Sequence, residues 1–171
     1  MPDTNSTTLY VDLDGTLVNS DLLLESLLQL IGRNFFYLFL MPLWLLKGKA
    51  NFKHQIAERV ELRIDLLPYN QKLLALLTSQ KQQGKRLVLI SASNNKFVEQ
   101  LANHLGVFDS WVGSSATDNM KGARKLEKIR EISGDSDFEY AGNEQADLAI
   151  WKQANGAIVV NGSNRLKAKV A

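Results

Sequence analysis

The sequence predicts an α/β fold, in which a parallel β-sheet carries helices on both faces and a small all-helical insertion follows the first strand. From residue 84 onward, short apolar runs alternate with helix-like segments across short connections, as in parallel sheets. Residues 20–68 show only helix-like patterns, so they interrupt this alternation just after the first strand. At 171 residues, with 45% hydrophobic and 22% charged residues, the chain fits one globular domain with an insertion.

The individual elements follow from local patterns. Runs of β-favouring apolar residues bounded by turn residues predict five strands, at "TLYV", "RLVLIS", "DSWVGS", "FEYAG" and "AIVVN". Apolar residues at helical spacing predict helices over residues 22–31, 52–60, 69–83, 97–105, 121–132 and 146–154. We therefore divide the chain into a core domain of residues 1–19 and 69–171 and a helical cap of residues 20–68.

Composition and charge restrict the class of protein. A net charge of +2 without a basic stripe gives no support for a nucleic-acid partner. The chain has no cysteine, which excludes disulfides, thiolate metal sites and a cysteine nucleophile and suits a reducing compartment. The first residues, "MPDTNSTT", are polar and acidic, unlike a secretory signal peptide. We expect a cytoplasmic protein, with contact to a membrane surface as a further expectation.

That further expectation comes from residues 35–46, "FFYLFLMPLWLL", which contain no charge. Arg33 precedes the segment, and Lys47 and Lys49 follow it. The segment is too short to span a bilayer, which requires about 20 apolar residues. Two interpretations stay open: a buried helix or helix pair broken at Pro42, or an interfacial segment that lies among lipid headgroups.

The chemistry begins in residues 8–17, "TLYVDLDGTL". Asp12 and Asp14 are two residues apart, so an extended backbone points both carboxylates to the same side. Two buried carboxylates repel each other, so burying them unpaired costs several kcal/mol or forces one to take a proton, and we expect a cation beside them. Ligands of parallel sheets bind beyond the carboxyl ends of the strands. Near the other strand ends lie a hydroxyl, an ammonium, an amide and a further acid: Ser91, Lys121, Asn143 and Asp147.

These residue types suit a magnesium ion and a phosphoryl group, because Mg²⁺ prefers hard oxygen ligands and keeps waters and phosphate in its shell. One carboxylate can attack phosphorus and form an aspartyl-phosphate. The second can protonate the leaving alkoxide and then deprotonate the attacking water. The metal, a lysine, a hydroxyl and free backbone N–H groups can stabilise the phosphoryl oxygens. The pattern therefore predicts a magnesium-dependent phosphatase.

The stretch "DLDGTL" resembles the first motif of the haloacid dehalogenase superfamily, the Asp-x-Asp-x-Thr phosphohydrolases. The resemblance implies that Asp12 is the nucleophile and a metal ligand. Asp14 is then the general acid and base, and its backbone carbonyl also binds the metal. The remaining roles that the resemblance implies are phosphate binding by Ser91, Lys121 and Gly15, metal binding by Asn143, and support of the metal site by Asp147. The insertion resembles the helical cap of phosphoserine-phosphatase-like members.

Two details refine this resemblance. The stretches "LWLLKG", "LPYN" and "NMKGARK" resemble the dehalogenase-like domain found ahead of membrane-embedded prenyltransferases of the UbiA family. Asn143 stands where the fourth motif normally supplies a carboxylate to the metal. A neutral amide oxygen can bind Mg²⁺ but adds no charge, so we expect weaker magnesium binding.

The leucine-rich, charge-poor insertion favours an aromatic or lipid-linked phosphate, and the sequence leaves phosphotyrosine in a protein and a prenyl phosphate open. Two other classes of function also stay open: a weakly active membrane-docking module, and a phosphate-receiver domain. A receiver domain lacks the inserted helices and the Gly-Thr pair after the acids. The basic ending "NGSNRLKAKVA" predicts the start of a helix and a partner domain beyond it.

Overall fold

A computed structural model of the protein describes residues 7–170 and contains a five-stranded sheet in the order β3-β2-β1-β4-β5. All neighbouring strands are parallel, which confirms the predicted α/β class. The strands are β1 (Thr8–Val11), β2 (Leu87–Asn94), β3 (Ser110–Ser114), β4 (Phe138–Gly142) and β5 (Gly156–Val159). The expectation that "MPDTNSTT" is not a secretory signal peptide rests on residues 1–8, of which residues 1–6 lie outside the described residues.

Eight α-helices connect the described strands and follow them: α1 (Leu22–Arg33), α2 (Tyr37–Leu46), α3 (Lys49–Ala57), α4 (Gln71–Gln82), α5 (Asn95–Leu105), α6 (Ala123–Ser133), α7 (Leu148–Trp151) and α8 (Asn164–Val170). Polar side chains define where several begin. Asp21 accepts hydrogen bonds from the Leu23 and Leu24 N–H groups in the first turn of α1, and Asn70 and Asn94 each accept one from the first turn of α4 and α5. The last helix, α8, starts within the tail where the sequence predicts a helix.

The sheet buries a different set of side chains on each face. Leu9 and Val11 of β1 belong to the hydrophobic core that α1, α3, α4 and α5 cover. Tyr10 points to the opposite face, where α6, α7 and α8 contribute Ile129, Trp151 and Leu166. Because side chains alternate along a strand, a chain that continues past Val11 directs Asp12 toward the α6 side. The strand pattern therefore fixes which helix faces the first aspartate.

Helices α1 to α3 form an insertion between β1 and α4, here called the helical insertion (residues 20–68). Its two connections to the sheet lie side by side, since Asn19 N–H donates to Pro68 O at 2.8 Å and Asn70 N–H donates to Leu17 O at 2.9 Å. Lys96 of α5 also donates to Ala57 O at 3.0 Å, at the end of α3. The division into a core domain and a cap domain stays a prediction.

The uncharged segment predicted at residues 35–46 forms one helix, α2, that continues through Pro42. Its exposure contradicts the interpretation as a buried helix pair: among its residues Trp44 is buried, whereas Phe39 is 68% exposed. The guanidinium of Arg59 lies 4.8 Å from the centre of the Trp44 ring and covers that side of the helix. Within residues 7–170, no helix combines the length and apolar character needed to cross a bilayer.

Gly113 of β3 packs directly against the backbone at the start of α5. A Cβ atom at this position would lie 2.5 Å from Asn95 Cα, which is too close for any side chain. We expect Gly113→Ala to lower the free energy of unfolding by about 2 kcal/mol, because the strand or the helix must shift. Gly32→Ala in α1 is the matched control, since a Cβ there meets no atom within 4 Å. It should raise stability by about 0.5 kcal/mol. Urea denaturation measures both, and equal effects would contradict the close packing.

Candidate active site

The candidate site lies at the carboxyl edge of the sheet, where the ends of β1, β2 and β4 meet. Asp12 follows β1 directly, Ser91 and Ser93 lie in the second half of β2, and Asn143 follows β4. Parallel pairing of β1 with both β2 and β4 brings these three strand ends together. The sequence-predicted residues therefore do converge, although their individual contacts differ from those expected.

Asp12 forms a buried ion pair with Lys125 of α6, a residue that the sequence interpretation did not select. Lys125 Nζ donates to Asp12 Oδ1 at 2.8 Å and to the Tyr140 hydroxyl at 3.0 Å, and lies 3.7 Å from Asp147 Oδ1. The Tyr140 hydroxyl in turn donates to Asp147 Oδ1 at 2.9 Å. One ammonium thus connects two buried carboxylates through a tyrosine. Lys125 therefore supplies, from the chain itself, part of the positive charge that the sequence predicts beside the two acids.

Burial and charge oppose each other in this network. Burial raises the pKa of Asp12 to about 6, although the Lys125 ammonium favours the ionised form. Burial acts to lower the pKa of Lys125, but the charges of Asp12 and Asp147 outweigh it, and the pKa is raised. Burial beside the two acids raises the pKa of Tyr140, so its hydroxyl stays protonated as a donor. At neutral pH Asp12 is therefore an ionised carboxylate.

Asp14 has a different environment, because the chain turns immediately after Asp12. Leu22 N–H donates to Asp14 Oδ1 at 2.7 Å. The hydroxyls of Ser91 and Ser93 donate to Asp14 Oδ2, at 3.1 Å and 2.6 Å. Burial raises the pKa of Asp14, and the hydrogen bonds from Leu22 and Ser93 oppose that rise. The resulting carboxyl group is fixed in orientation and holds a proton more readily than an exposed aspartate, as a general acid requires.

Gly15 makes the turn, with a φ of 72° that favours glycine. Its N–H donates to Ser20 O at 3.2 Å, so this group is engaged by the chain rather than free for the phosphate binding that the sequence predicts. A Cβ atom here would lie 2.1 Å from Asn143 Nδ2. Glycine is therefore required because Asn143 packs against the turn.

The arrangement provides oxygen donors for a divalent cation. Asn143 Oδ1 is buried and has no hydrogen-bond partner among residues 7–170. The ion pair with Lys125 uses Asp12 Oδ1, which leaves Oδ2 for a second partner. In the described part of the chain no cluster of three or more acids or histidines forms a metal site by itself. Mg²⁺ commonly binds one or two protein carboxylates and completes its shell with waters and phosphate, so the residues present fit it.

A cavity of about 410 Å³ opens over Asp12 and Asp14. The helical insertion supplies an apolar wall to it, formed by Leu23, Leu45 and Phe52. Four lysines also line it, namely Lys49, Lys53, Lys121 and Lys125. The space is therefore amphipathic, with acids at its base and both apolar and cationic groups around it.

Lys121, predicted to bind the phosphoryl group, has a side chain 52% exposed and pairs with Glu144 at 2.9 Å. Lys53 Nζ donates to Ala92 O at 2.7 Å and to Asn119 Oδ1 at 3.1 Å. Burial lowers the pKa of Lys53, and the charge of Asp14 opposes this. Lys53 thus connects α3 to the second half of β2 and to the loop that follows β3. Ser91 is fully buried against Asp14, and Ser93 is the serine of β2 that lines the cavity.

The sequence contains a signal that identifies Lys125. Ile129 and Ile132 lie four and seven residues after it, on the side of α6 that packs into the core. A lysine in phase with two core isoleucines must bury its charge, and it therefore needs an acidic partner. Lys121, which the sequence motif indicated, lies four residues earlier and precedes α6.

Known proteins resemble this chain in sequence and in fold. The sequence model of a family described as haloacid dehalogenase-like hydrolase matches residues 9–152. A curated protein of Sinorhizobium fredii (strain NBRC 101917 / NGR234), described as uncharacterized protein y4nM, is 35% identical over 167 residues. That match covers 95% of this chain and 31% of the relative, so the chain spans about a third of the relative's length.

Solved structures share the fold at low identity. A phosphoserine phosphatase in its apo form gives a TM-score of 0.66 at 17% identity, covering 96% of this chain and 91% of that one. A HAD family hydrolase, t0658, of Salmonella enterica subsp. enterica serovar Typhi gives a TM-score of 0.70 at 15% identity, covering 98% and 67%. These likenesses confirm the predicted fold. The resemblance to prenyltransferase-linked domains stays a prediction.

Removal of the Lys125 charge should destabilise the protein far more than removal of the Lys121 charge. Lys125→Met leaves Asp12 and Asp147 buried without their ammonium, so we expect the free energy of unfolding to fall by about 3 kcal/mol. Lys121→Met removes a half-exposed lysine and should change stability by less than about 0.5 kcal/mol. Urea denaturation at neutral pH compares the two. Adding Asp12→Asn to Lys125→Met should recover part of the loss, and equal stability of the two single variants would contradict the buried ion pair.

Proposed function

The chain belongs to the haloacid dehalogenase-like hydrolase family, and from this premise we propose that it hydrolyses a phosphomonoester through an aspartyl-phosphate on Asp12. The proposal rests on one observation: Asp12 and Asp14 line the same cavity but have different hydrogen-bond partners. Asp12 pairs with the buried ammonium of Lys125, whereas Asp14 accepts hydrogen bonds from two serine hydroxyls and one backbone N–H. Burial raises the pKa of both acids, and the Lys125 charge favours the ionised form of Asp12. A nucleophile and a proton donor require this difference.

In the first step the Asp12 carboxylate attacks phosphorus and forms the acyl-phosphate bond. The bond between phosphorus and the leaving oxygen breaks, and Asp14 gives its proton to that oxygen. Lys125 keeps Asp12 in place, since its ammonium contacts Asp12 Oδ1 at 2.8 Å. Lys53 and Lys121 line the cavity and supply positive charge close to the phosphoryl oxygens.

In the second step Asp14, now ionised, takes a proton from a water molecule as that water attacks the phosphorus of the intermediate. The bond between phosphorus and Asp12 breaks, which releases inorganic phosphate and restores the Asp12 carboxylate. Asp14 ends the cycle protonated, as it began. The hydroxyls of Ser91 and Ser93 hold the Asp14 carboxyl group in one orientation through both transfers.

Mg²⁺ is the metal that we propose for the reaction, and it supplies positive charge that neutralises the phosphoryl oxygens. The residues that would hold it are Asp12, the main-chain carbonyl of Asp14, and Asn143, whose buried Oδ1 has no other partner within residues 7–170. Asp147 supports this edge of the site, because its Oδ2 accepts the Glu144 N–H at 3.1 Å. The amide of Asn143 adds no charge, so a moderate magnesium affinity follows.

The cavity restricts the leaving group. Leu23, Leu45 and Phe52 offer apolar contact and no hydrogen bonds to hydroxyl groups, which disfavours a sugar phosphate. Two kinds of leaving group can make apolar contacts with this wall: an aromatic group, as in protein phosphotyrosine, and the chain of a lipid-linked or prenyl phosphate. Leu45, which belongs to this wall, lies on the exposed apolar helix α2. This continuous apolar surface favours the lipid-linked substrate.

A phosphate-release assay over phosphotyrosine peptides, phosphoserine, a prenyl phosphate and a phosphatidic acid tests the proposal. We expect turnover of at least one substrate with an apolar leaving group, and little turnover of phosphoserine. Asp12→Asn should lower the rate by about 10³-fold or more, since the amide is a poor nucleophile. It should also abolish labelling of the protein by a radioactive phosphoryl group. Asp137→Asn, at an exposed position before β4, is the control. Full activity of Asp12→Asn would refute the mechanism.

Magnesium dependence is tested separately. We expect excess chelator to abolish activity and added Mg²⁺ to restore it. Asn143→Asp supplies a further negative charge, so the magnesium dissociation constant measured by calorimetry without substrate should fall by roughly tenfold. Asn155→Asp, at an exposed position before β5, is the control and should leave that constant unchanged. Undiminished activity in excess chelator would exclude the metal site.

A further inference from the structure

Helix α2 is apolar on all sides, yet the rest of residues 7–170 covers only one of them. Its inner face, Tyr37, Met41 and Trp44, packs against the core at a spacing of four and three residues. The opposite side carries the α2 outer face, defined as Phe36, Phe39, Leu40, Leu43 and Leu46. These five residues also recur at intervals of three or four, so they share one side of the helix.

The α2 outer face is strongly exposed. Phe36 is 73% exposed, Phe39 68% and Leu46 84%. The rings of Phe35 and Phe36 lie 6.3 Å and 6.4 Å from that of Phe39, so the start of the face is a continuous aromatic cluster. A contiguous apolar surface of this kind marks an interaction site rather than an ordinary surface.

The charges around this face indicate the chemistry of its partner. Residues 26–57 contain four lysines and arginines and no aspartate or glutamate. Arg33 and Lys47 flank α2 at its two ends, and both are exposed. An apolar stripe with a basic border complements a bilayer that contains anionic lipids. A second copy of the chain would bring the same positive border and be repelled.

We propose that the α2 outer face docks on the surface of a bilayer containing anionic lipids. The ten residues of α2 are too few to span the hydrocarbon region, which requires about 20, so the helix lies in the interface. Leu45 and Lys49, at the end of α2 and the start of α3, line the candidate cavity. Docking therefore holds the mouth of the cavity beside the lipid surface.

Co-sedimentation with unilamellar vesicles tests this docking. The 171-residue chain should bind vesicles of phosphatidylcholine mixed with phosphatidylglycerol, and binding should weaken at high salt. Phe39→Ser combined with Leu43→Ser should lower the partition coefficient by about tenfold or more, because both apolar contacts are lost. Leu76→Ser, at an exposed leucine of α4, is the matched control and should bind as the unmodified protein does.

Two further variants test the electrostatic contribution to vesicle binding and the independence of binding from the phosphatase activity. Lys47→Glu should weaken binding to the mixed vesicles and leave weak binding to pure phosphatidylcholine unchanged. Asp12→Asn should bind vesicles normally, so a failure of the proposed phosphatase activity does not affect this result. The docking is overturned if the chain stays unbound, if the double variant binds equally well, or if the unmodified chain is a dimer that the double variant dissociates.

Discussion

The contact between Lys125 and Asp12 is the constraint on which the rest of the site depends. An ionised aspartate at the end of a buried strand needs a permanent positive neighbour, and α6 supplies one across 2.8 Å. The same ammonium faces Asp147 and the Tyr140 hydroxyl, so three strand and helix ends are fixed relative to one another. Asp14 is free of this network because the turn at Gly15 directs it to the serines of β2.

This separation of two neighbouring acids accounts for the different roles that we propose for them. Asp12 keeps its negative charge beside a cation, and Asp14 receives only neutral donors, from two hydroxyls and one backbone N–H. Because Lys125 already neutralises Asp12, a metal bound at this site has less negative charge to balance. The neutral Asn143, in a position where a carboxylate is usual for the resembled family, is consistent with that balance of charge. The helical insertion then adds an apolar wall and further lysines above the acids.

Local patterns predicted most of the elements, but for residues 35–46 they left a buried helix and an interfacial segment open, and the exposure of α2 contradicts the buried helix. Residues 35–46 look like buried sequence, because nothing in a window of uncharged aromatic and leucine residues distinguishes burial from exposure. Pro42 also suggested a break that the helix does not show. Which side of α2 is covered depends on where α1, α3 and Arg59 lie, and these are long-range contacts. The phase of Lys125 with Ile129 indicates that this lysine is buried, but it does not indicate which acid the lysine meets.

The sequence by itself determined the parallel α/β class, the insertion after the first strand and the identity of the acids at the strand ends. Those features depend on the periodicity of apolar residues and on strand order along the chain, which are properties of neighbouring residues. Only the tertiary structure decided which lysine faces Asp12, that Gly15 is engaged by Ser20, and that one side of α2 stays uncovered. Each of these features depends on a contact between two segments that are distant in the sequence. Short-range patterns do not specify such contacts.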